Sequence, residues 1–424
     1  MLKRKWTTKV KYLTPFETPI VKYFSDQSKP LKGIRVLDMS RILVGPYCTM
    51  YLADFGADVI KVESLEGDET RKWGPPFKGP DSTYYLSINR NKKSIAVDVK
   101  KPEGRDIIYK LAGISDIFIE NFAHGVTDRL KVDYESLKKI NPKLVYASIT
   151  GYGPTGPYSE KPGFDNIIQS TSGLVHITGS EEQPYKVGVA ICDVLTGLNI
   201  TTGILAALYS RNLTGVGQKI ETNLLHSTAE ALVNVASTYL NGGKEAKRWG
   251  NHHPNIVPYG IYPVGQKKFI TIACGTDKQY YELCKAIGRP DLATDSRYLL
   301  NKDRVGHREE LNAILESEFQ KYTLEDLVKL LEERRIPCGP INSLETLFSD
   351  KHVVETQMVE KVKSQYHGDL QFVRNPLKFG TSESETNPSQ PPPTLGEHTR
   401  EILVDLLKKT PEEVQELYDK KVVK

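Results

Sequence analysis

The sequence predicts an α/β protein: a doubly wound, mostly parallel sheet in a large domain, joined to a smaller α+β domain. Three observations carry that reading. Short aliphatic runs alternate with amphipathic segments of helical length from residue 34 to residue 149. From about Leu225 the text changes to long helical stretches. After a Gly/His/Pro-rich stretch at 242–258, a compact strand-and-helix pattern begins. Strands alternating with helices specify a parallel sheet covered on both faces, and right-handed crossovers then set the winding.

The elements follow in order. Residues 34–39 read as the first strand. Gly45-Pro46 opens a helix through Leu52 and Phe55, closed by Gly56, and 57–63 is the second strand. Residues 94–99 are a third strand leading to Pro102, which suits a first helical turn because its missing N–H is not needed there. Ile107, Ile108, Leu111 and Ala112 form the apolar stripe of that helix. Two more strands lie at 116–120 and 144–149. A small apolar strand at 188–192 precedes a helix at 198–208, with Ile200, Ile204, Leu205 and Leu208 at helical spacing. Residues 226–243 read as a linker helix and 244–343 as the smaller domain, with a strand at 269–273 and helices at 277–287, 309–322 and 324–334. A polar stretch at 381–393 ends in three prolines and reads as a loop. A last helix spans 400–407.

Composition excludes several classes. The 424 residues leave room for two or three domains, and 39% hydrophobic with 26% charged content is that of a soluble globular protein. A net charge of +4 over this length, without a basic stripe, argues against nucleic acid. No apolar run approaches the roughly 20 residues of a membrane span. The five scattered cysteines contain no C-x-x-C, so reduced thiols and no zinc site are expected. His252-His253 is the only close histidine pair, and no metal is implied. Neither GxGxxG nor GxxxxGK[ST] occurs, which leaves a nucleotide enzyme unsupported. Residues 1–30 carry Lys3, Arg4, Lys5, Lys9, Lys11, Lys22 and Lys29 against Glu17 and Asp26. That basic, acid-poor composition is that of a mitochondrial targeting segment, or of a basic tail without an address.

Asp193 stands out. In this reading it sits at the junction of the strand at 188–192 and the following helix, beside unpaired N–H groups and the positive end of the helix dipole. Such a place keeps a carboxylate ionised where sheets of this kind bind ligands. A structural N-cap aspartate occupies the same position.

Several blocks resemble the family III (CaiB/BaiF) CoA-transferases. They are 31–38 (LKGIRVLD), Gly45-Pro46, 56–63 (GADVIKVE), 89–95 (NRNKKSI), Glu120-Asn121-Phe122, 151–157 (GYGPTGP) and 395–399 (LGEHT), in the family's order. The resemblance implies a large domain made from 31–225 and 344–424, the smaller domain between them, and an interlocked homodimer. It implies an enzyme that moves CoA from an acyl-CoA such as succinyl-CoA to a dicarboxylic acid such as glutarate, with CoA as co-substrate, no other cofactor, and neither nucleic acid nor membrane as partner. With the basic leader, it implies the mitochondrial matrix.

Residue by residue, the resemblance places the nucleophile on Asp193 and CoA contacts on Arg41, Ile42, Val97, Lys100, Asn121, Phe122 and Arg129. Leu43 and Ser64 replace a glutamine and an arginine of the formyl-CoA transferases, and their glycine-rich loop is not seen. Related racemases use a histidine where this chain has Phe164, which cannot take a proton, so an isomerase is disfavoured; a CoA-binding protein without transfer activity is the other alternative. Asp165 either lines the site or caps a helix. Arg248 is the candidate cation for a distal carboxylate, because a guanidinium fork matches a carboxylate.

Overall fold

The computed structural model describes residues 29–379 and 389–424, so the basic segment, except its last two residues, and most of the polar stretch at 381–393 lie outside the described residues. The large sheet has six strands: β1 (Arg35–Asp38), β2 (Asp58–Glu63), β3 (Lys92–Ala96), β4 (Ile117–Glu120), β5 (Val145–Thr150) and β6 (Lys219–Asn223). All pair in parallel, in the order β3-β2-β1-β4-β5-β6. The winding direction reverses between β1 and β4, which opens a crevice at the carboxyl ends of those two strands.

Alternation along each strand buries both faces of the sheet. On one face Val36, Ile119 and Ala147 meet Val44, Cys48 and Leu52 of α1 (Val44–Asp54) and Ile200, Ile204 and Leu208 of the long helix Ile191–Thr214. On the other, Leu37, Ile60, Phe118 and Tyr146 meet Ile107, Ile108 and Leu111 of α2 (Pro102–Gly113) together with Ile402, Leu403, Val414 and Leu417 from the far end of the chain. The carboxyl-terminal segment also bridges Val423 to Val97.

The third strand begins two residues earlier than its apolar pattern suggests, because Lys92 enters the ladder opposite Val59. Its buried ammonium is held by Pro46 O at 2.8 Å and Asn89 Oδ1 at 2.9 Å. No strand precedes Asp193. The helix starts at Ile191 and runs 24 residues to Thr214; Cys192, Thr196, Ile200, Ile204 and Leu208 bury one face at every fourth position, extending the helical period through the run read as a strand. This helix is also long and apolar enough to cross a membrane by length and composition, against the reading that no run comes close. One face lies in the core of the large sheet. The linker helix is broken into Leu224–Glu230 and Val233–Gly242, with Val233 at φ 42°; neither Gly nor Pro marks the break.

A second core surrounds an antiparallel sheet of β7 (Tyr259–Val264), β8 (Lys268–Ala273) and β9 (Cys338–Pro340) with the helices Asp277–Ala286, Arg308–Phe319 and Leu324–Glu333. Fully buried Arg304 ties it together through Val257 O, Tyr298 O, Leu299 O and Asp277 Oδ1.

Between β2 and β3 the chain makes a polar excursion over residues 64–91, pinned by Arg71. Its guanidinium donates to both Glu63 oxygens at 2.7 and 2.8 Å, to Asp81 Oδ1 at 2.8 Å, to the Tyr85 hydroxyl at 2.6 Å and to Pro393 O at 3.2 Å. Removing it strands two buried carboxylates. Arg71→Met should therefore lose about 3–5 kcal/mol of unfolding free energy, read as a lower urea midpoint with an unchanged slope.

Candidate active site

The crevice is lined from the residues that follow β1 and β4. Asn121, directly after β4, accepts Arg41 N–H on Oδ1 at 2.9 Å and donates Nδ2 to Arg41 O at 2.7 Å. The Arg41 guanidinium lies 5.6 Å from the Phe122 ring centroid and pairs with Glu69 at 2.6 Å, both side chains nearly half exposed. The Phe122 N–H donates to Glu120 Oε2 at 2.8 Å; burial pushes that Glu120 carboxyl up to about 7. Ile42 stands at φ 69°, which costs a β-branched residue on the order of 1–3 kcal/mol. Arg41, Ile42, Asn121 and Phe122 thus form one surface.

Val97 is buried in its bridge to Val423. Lys100 and Arg129 are exposed, and among the described residues neither side chain is in an ion pair. Leu43 is buried before α1, and Ser64 lies in an exposed turn.

Asp193 occupies the first turn of the long helix, whose N-cap, Ala190, offers no side-chain acceptor. Asp165, from α3 (Asp165–Thr171), supplies one from outside: its Oδ1 accepts Cys192 N–H at 2.8 Å and Asp193 N–H at 3.4 Å. One turn along α3, buried Gln169 donates to Asp165 Oδ2 at 2.7 Å and accepts Val187 N–H at 2.8 Å. These two side chains stitch the segment before Asp193 in place. Asp165 thus caps the helix that carries Asp193 while standing close enough to act on its carboxyl.

Gly197, one turn beyond Asp193, brings the helix against α1: an added Cβ would stand 3.0 Å from Val44 O. That close approach sets the Asp193 turn beside the start of α1, just past Arg41 and Ile42.

The surroundings of Asp193 favour its neutral form more than a helix start alone would. Burial foremost, then the neighbouring Asp165 charge, push it from 3.8 up to about 7. The helix N–H groups that would hold it down already donate to Asp165. Among the described residues no side chain donates to the Asp193 carboxylate. Tyr84 is the neighbour that the residue pattern did not single out: burial, then Asp193 and Asp165, raise its phenol to about 12. Its ring meets Trp73 edge-on at 5.4 Å. Both come from the excursion over 64–91, whose helices, Glu69–Lys72 and Thr83–Ser87, are too short to carry a periodic signal.

Arg248 is not a free fork. It donates to Ser180 O at 2.7 Å, His176 O at 3.1 Å and Glu181 O at 2.9 Å, which spends three of its five N–H groups as a clamp on that loop. Phe164, beside Asp165, is 56% exposed and offers no proton acceptor. Among the described residues no group of three His, Cys, Asp or Glu could hold a metal ion.

The fold agrees with comparison to known proteins. The model of CoA-transferase family III matches residues 31–399, and the chain belongs to that family. Among its relatives, the succinyl-CoA:glutarate CoA-transferase of Mus musculus is 44% identical over 90% of this chain and 88% of its own length. That of Homo sapiens is 41% identical over 93% and 90%. A CaiB/BaiF family protein from Brucella suis has a solved structure that superposes with a TM-score of 0.80 at 41% identity, covering 90% of this chain and all of that one.

The raised Asp193 carboxyl has a thermodynamic signature. Its folded value exceeds the unfolded one, so the folded state binds more protons between about pH 4 and pH 7, and stability falls as pH rises through that window. Asp193→Asn removes the titration. Its melting temperature should exceed that of the parent by more at pH 8 than at pH 5, in differential scanning fluorimetry; equal differences would show an unperturbed carboxyl.

Proposed function

We propose that this enzyme transfers CoA from succinyl-CoA to glutarate or a similar dicarboxylate, with Asp193 as the covalent nucleophile. The observation that carries the reading is the Asp193 carboxylate: partly buried, held at a helix start, and, among the described residues, without a side-chain donor to quench it. The relatives named for the same exchange support the substrate pair.

An Asp193 oxygen attacks the thioester carbonyl, and the C–S bond breaks to release CoA thiolate and leave a succinyl–aspartyl anhydride. The thiolate then attacks the Asp193 carbonyl, releasing succinate and forming an aspartyl–CoA thioester. The acceptor carboxylate displaces the thiolate again, giving a new anhydride. Thiolate attack on the acceptor's acyl carbon frees its CoA ester and restores Asp193. Each step exchanges one activated acyl group for another, so ATP is not needed, and one hard displacement is divided into nearly balanced ones. A carboxylate is a weak nucleophile, so much of the rate comes from orientation. A value of about 7 leaves Asp193 ionised above neutrality, and transfer should fall on its acid side.

The surface formed by Arg41, Ile42, Asn121 and Phe122 is the proposed seat of CoA, with Val97, Lys100 and Arg129 as further contacts. The large domain of 31–225 and 344–424 carries it. Asp193→Ala should reduce transfer to below about a hundredth while CoA binding persists. Hydroxylamine added to wild type with succinyl-CoA should mark Asp193 itself in peptide mass spectrometry. Activity above that level, or an unmodified Asp193, would remove the assignment.

The assembly we propose is a homodimer. The long helix exposes Leu198, Leu205, Tyr209 and Leu213, and Val233, Tyr239 and Leu240 of the segment after it are also exposed, an apolar extent that asks for a partner surface. Light scattering after size exclusion should return twice the 47.7 kDa chain mass, and a monomer mass would refute it. The basic, acid-poor composition of residues 1–30 supports a mitochondrial matrix location, which fractionation and amino-terminal sequencing of the native protein test.

A further inference from the structure

Residues 40–42 leave β1 in a conformation their own sequence disfavours. Ile42 lies in the left-handed region at φ 69°, where a β-branched side chain is rare. Nevertheless, backbone groups on both sides of Arg41 are held by other elements. Lys61 Nζ donates to Ser40 O at 3.0 Å. Ile42 N–H donates to the two Asp68 oxygens at 3.2 and 3.3 Å. Between them, Asn121 takes the Arg41 N–H and C=O.

Lys61 and Asp68 are also paired to each other at 2.8 Å, with side chains 0% and 1% exposed. Thr70 donates its N–H and its hydroxyl to Asp68 Oδ1 at 3.0 and 2.7 Å, which fixes the rotation of the carboxylate. A buried ion pair loses the hydration of both partners and is seldom a net source of stability. This one reaches the two peptide groups that flank Arg41.

We propose that Lys61 and Asp68 are positioning residues that hold the Arg41–Ile42 turn in the conformation that receives CoA, an inference that rests on the CoA transfer proposed above. Asp68 holds the left-handed Ile42 through its N–H. Lys61 holds the Ser40 carbonyl and orients Asp68. Their bonds run to the turn and not to Asp193, so their loss falls on CoA affinity and spares the chemical step.

The test uses the full chain carrying Asp68→Asn, with KM measured for succinyl-CoA and glutarate and Kd for CoA by calorimetry. KM for succinyl-CoA and Kd for CoA should rise about tenfold, while kcat and KM for glutarate stay within about twofold. Asp68→Glu, which keeps a carboxylate for Lys61 and the Ile42 N–H, should retain most of the affinity that Asp68→Asn loses. A general packing defect would not respond in that way. Should Asp68→Asn fail to fold, Lys61→Met with Asp68→Leu removes both buried charges together and carries the same expectation.

Unchanged CoA affinity in a folded variant, a loss shared equally by kcat and both KM values, or an Asp68→Glu variant no better than Asp68→Asn overturns the proposal. Failure of both variants to fold overturns it too, by making the pair a folding element. Wild-type protein that does not bind CoA overturns the transfer reading instead.

Discussion

Asp165 closes the start of a 24-residue helix from a neighbouring element, and both the packing and the chemistry of the site follow from that contact. A helix start leaves N–H groups without partners, and a cap of this kind stabilises it by about 0.5–2 kcal/mol. Ala190 has no side-chain oxygen to offer, so the cap comes across from α3. The same carboxylate then acts on Asp193 in two ways. It takes the N–H groups that would have favoured an ionised Asp193, and it adds a negative charge nearby. Burial raises it further than either, and the result is a carboxyl that titrates near neutrality. The device that fixes the helix therefore also contributes to the proton affinity of its proposed nucleophile.

Beneath the carboxyl ends of the strands lies a second layer of charge, and its members behave differently although they are equally buried. Burial works against the charge of Lys61, but Asp68, Asp38 and Glu63 outweigh it and raise its proton affinity. Burial prevails at Lys92, which falls to about 8, with Asp38 opposing and Lys61 adding to the fall. Asp38 is itself satisfied from several sides, by Thr49 Oγ1 at 2.5 Å, by Ser40 N–H at 2.9 Å and by the Ser40 hydroxyl. In a low-dielectric layer of this kind, partner count and distance decide the sign.

The sheet was legible because parallel strands, buried on both faces, read as short aliphatic runs. Places where polar groups join the ladder or the core were not. Lys92 lies inside a strand because its ammonium finds oxygens there, a fact with no periodic trace. The helix carrying Asp193 was cut short at its start because Val189 to Cys192 reads equally well as a strand, and short apolar runs are ambiguous by period alone. The turn formed by Arg41, Ile42, Asn121 and Phe122 was reached through resemblance; its mutual hydrogen bonds were not. Tyr84 sits in a five-residue helix, Thr83–Ser87, too short to show a period. The residue type of Arg248 suggested a free cation, and only its carbonyl partners show it as a clamp.

The second face of the large sheet is completed by residues distant in the chain. All six strands are present once Asn223 has been made, yet Ile60, Phe118 and Tyr146 share their core with Ile402, Leu403, Val414 and Leu417. During synthesis, therefore, an apolar flank of a nearly complete sheet waits while the whole second core at 257–336 is made and folds. Vectorial translation gives this protein a prolonged sticky intermediate, and its yield in a foreign host should depend on chaperone supply more than the stability of the finished fold would indicate.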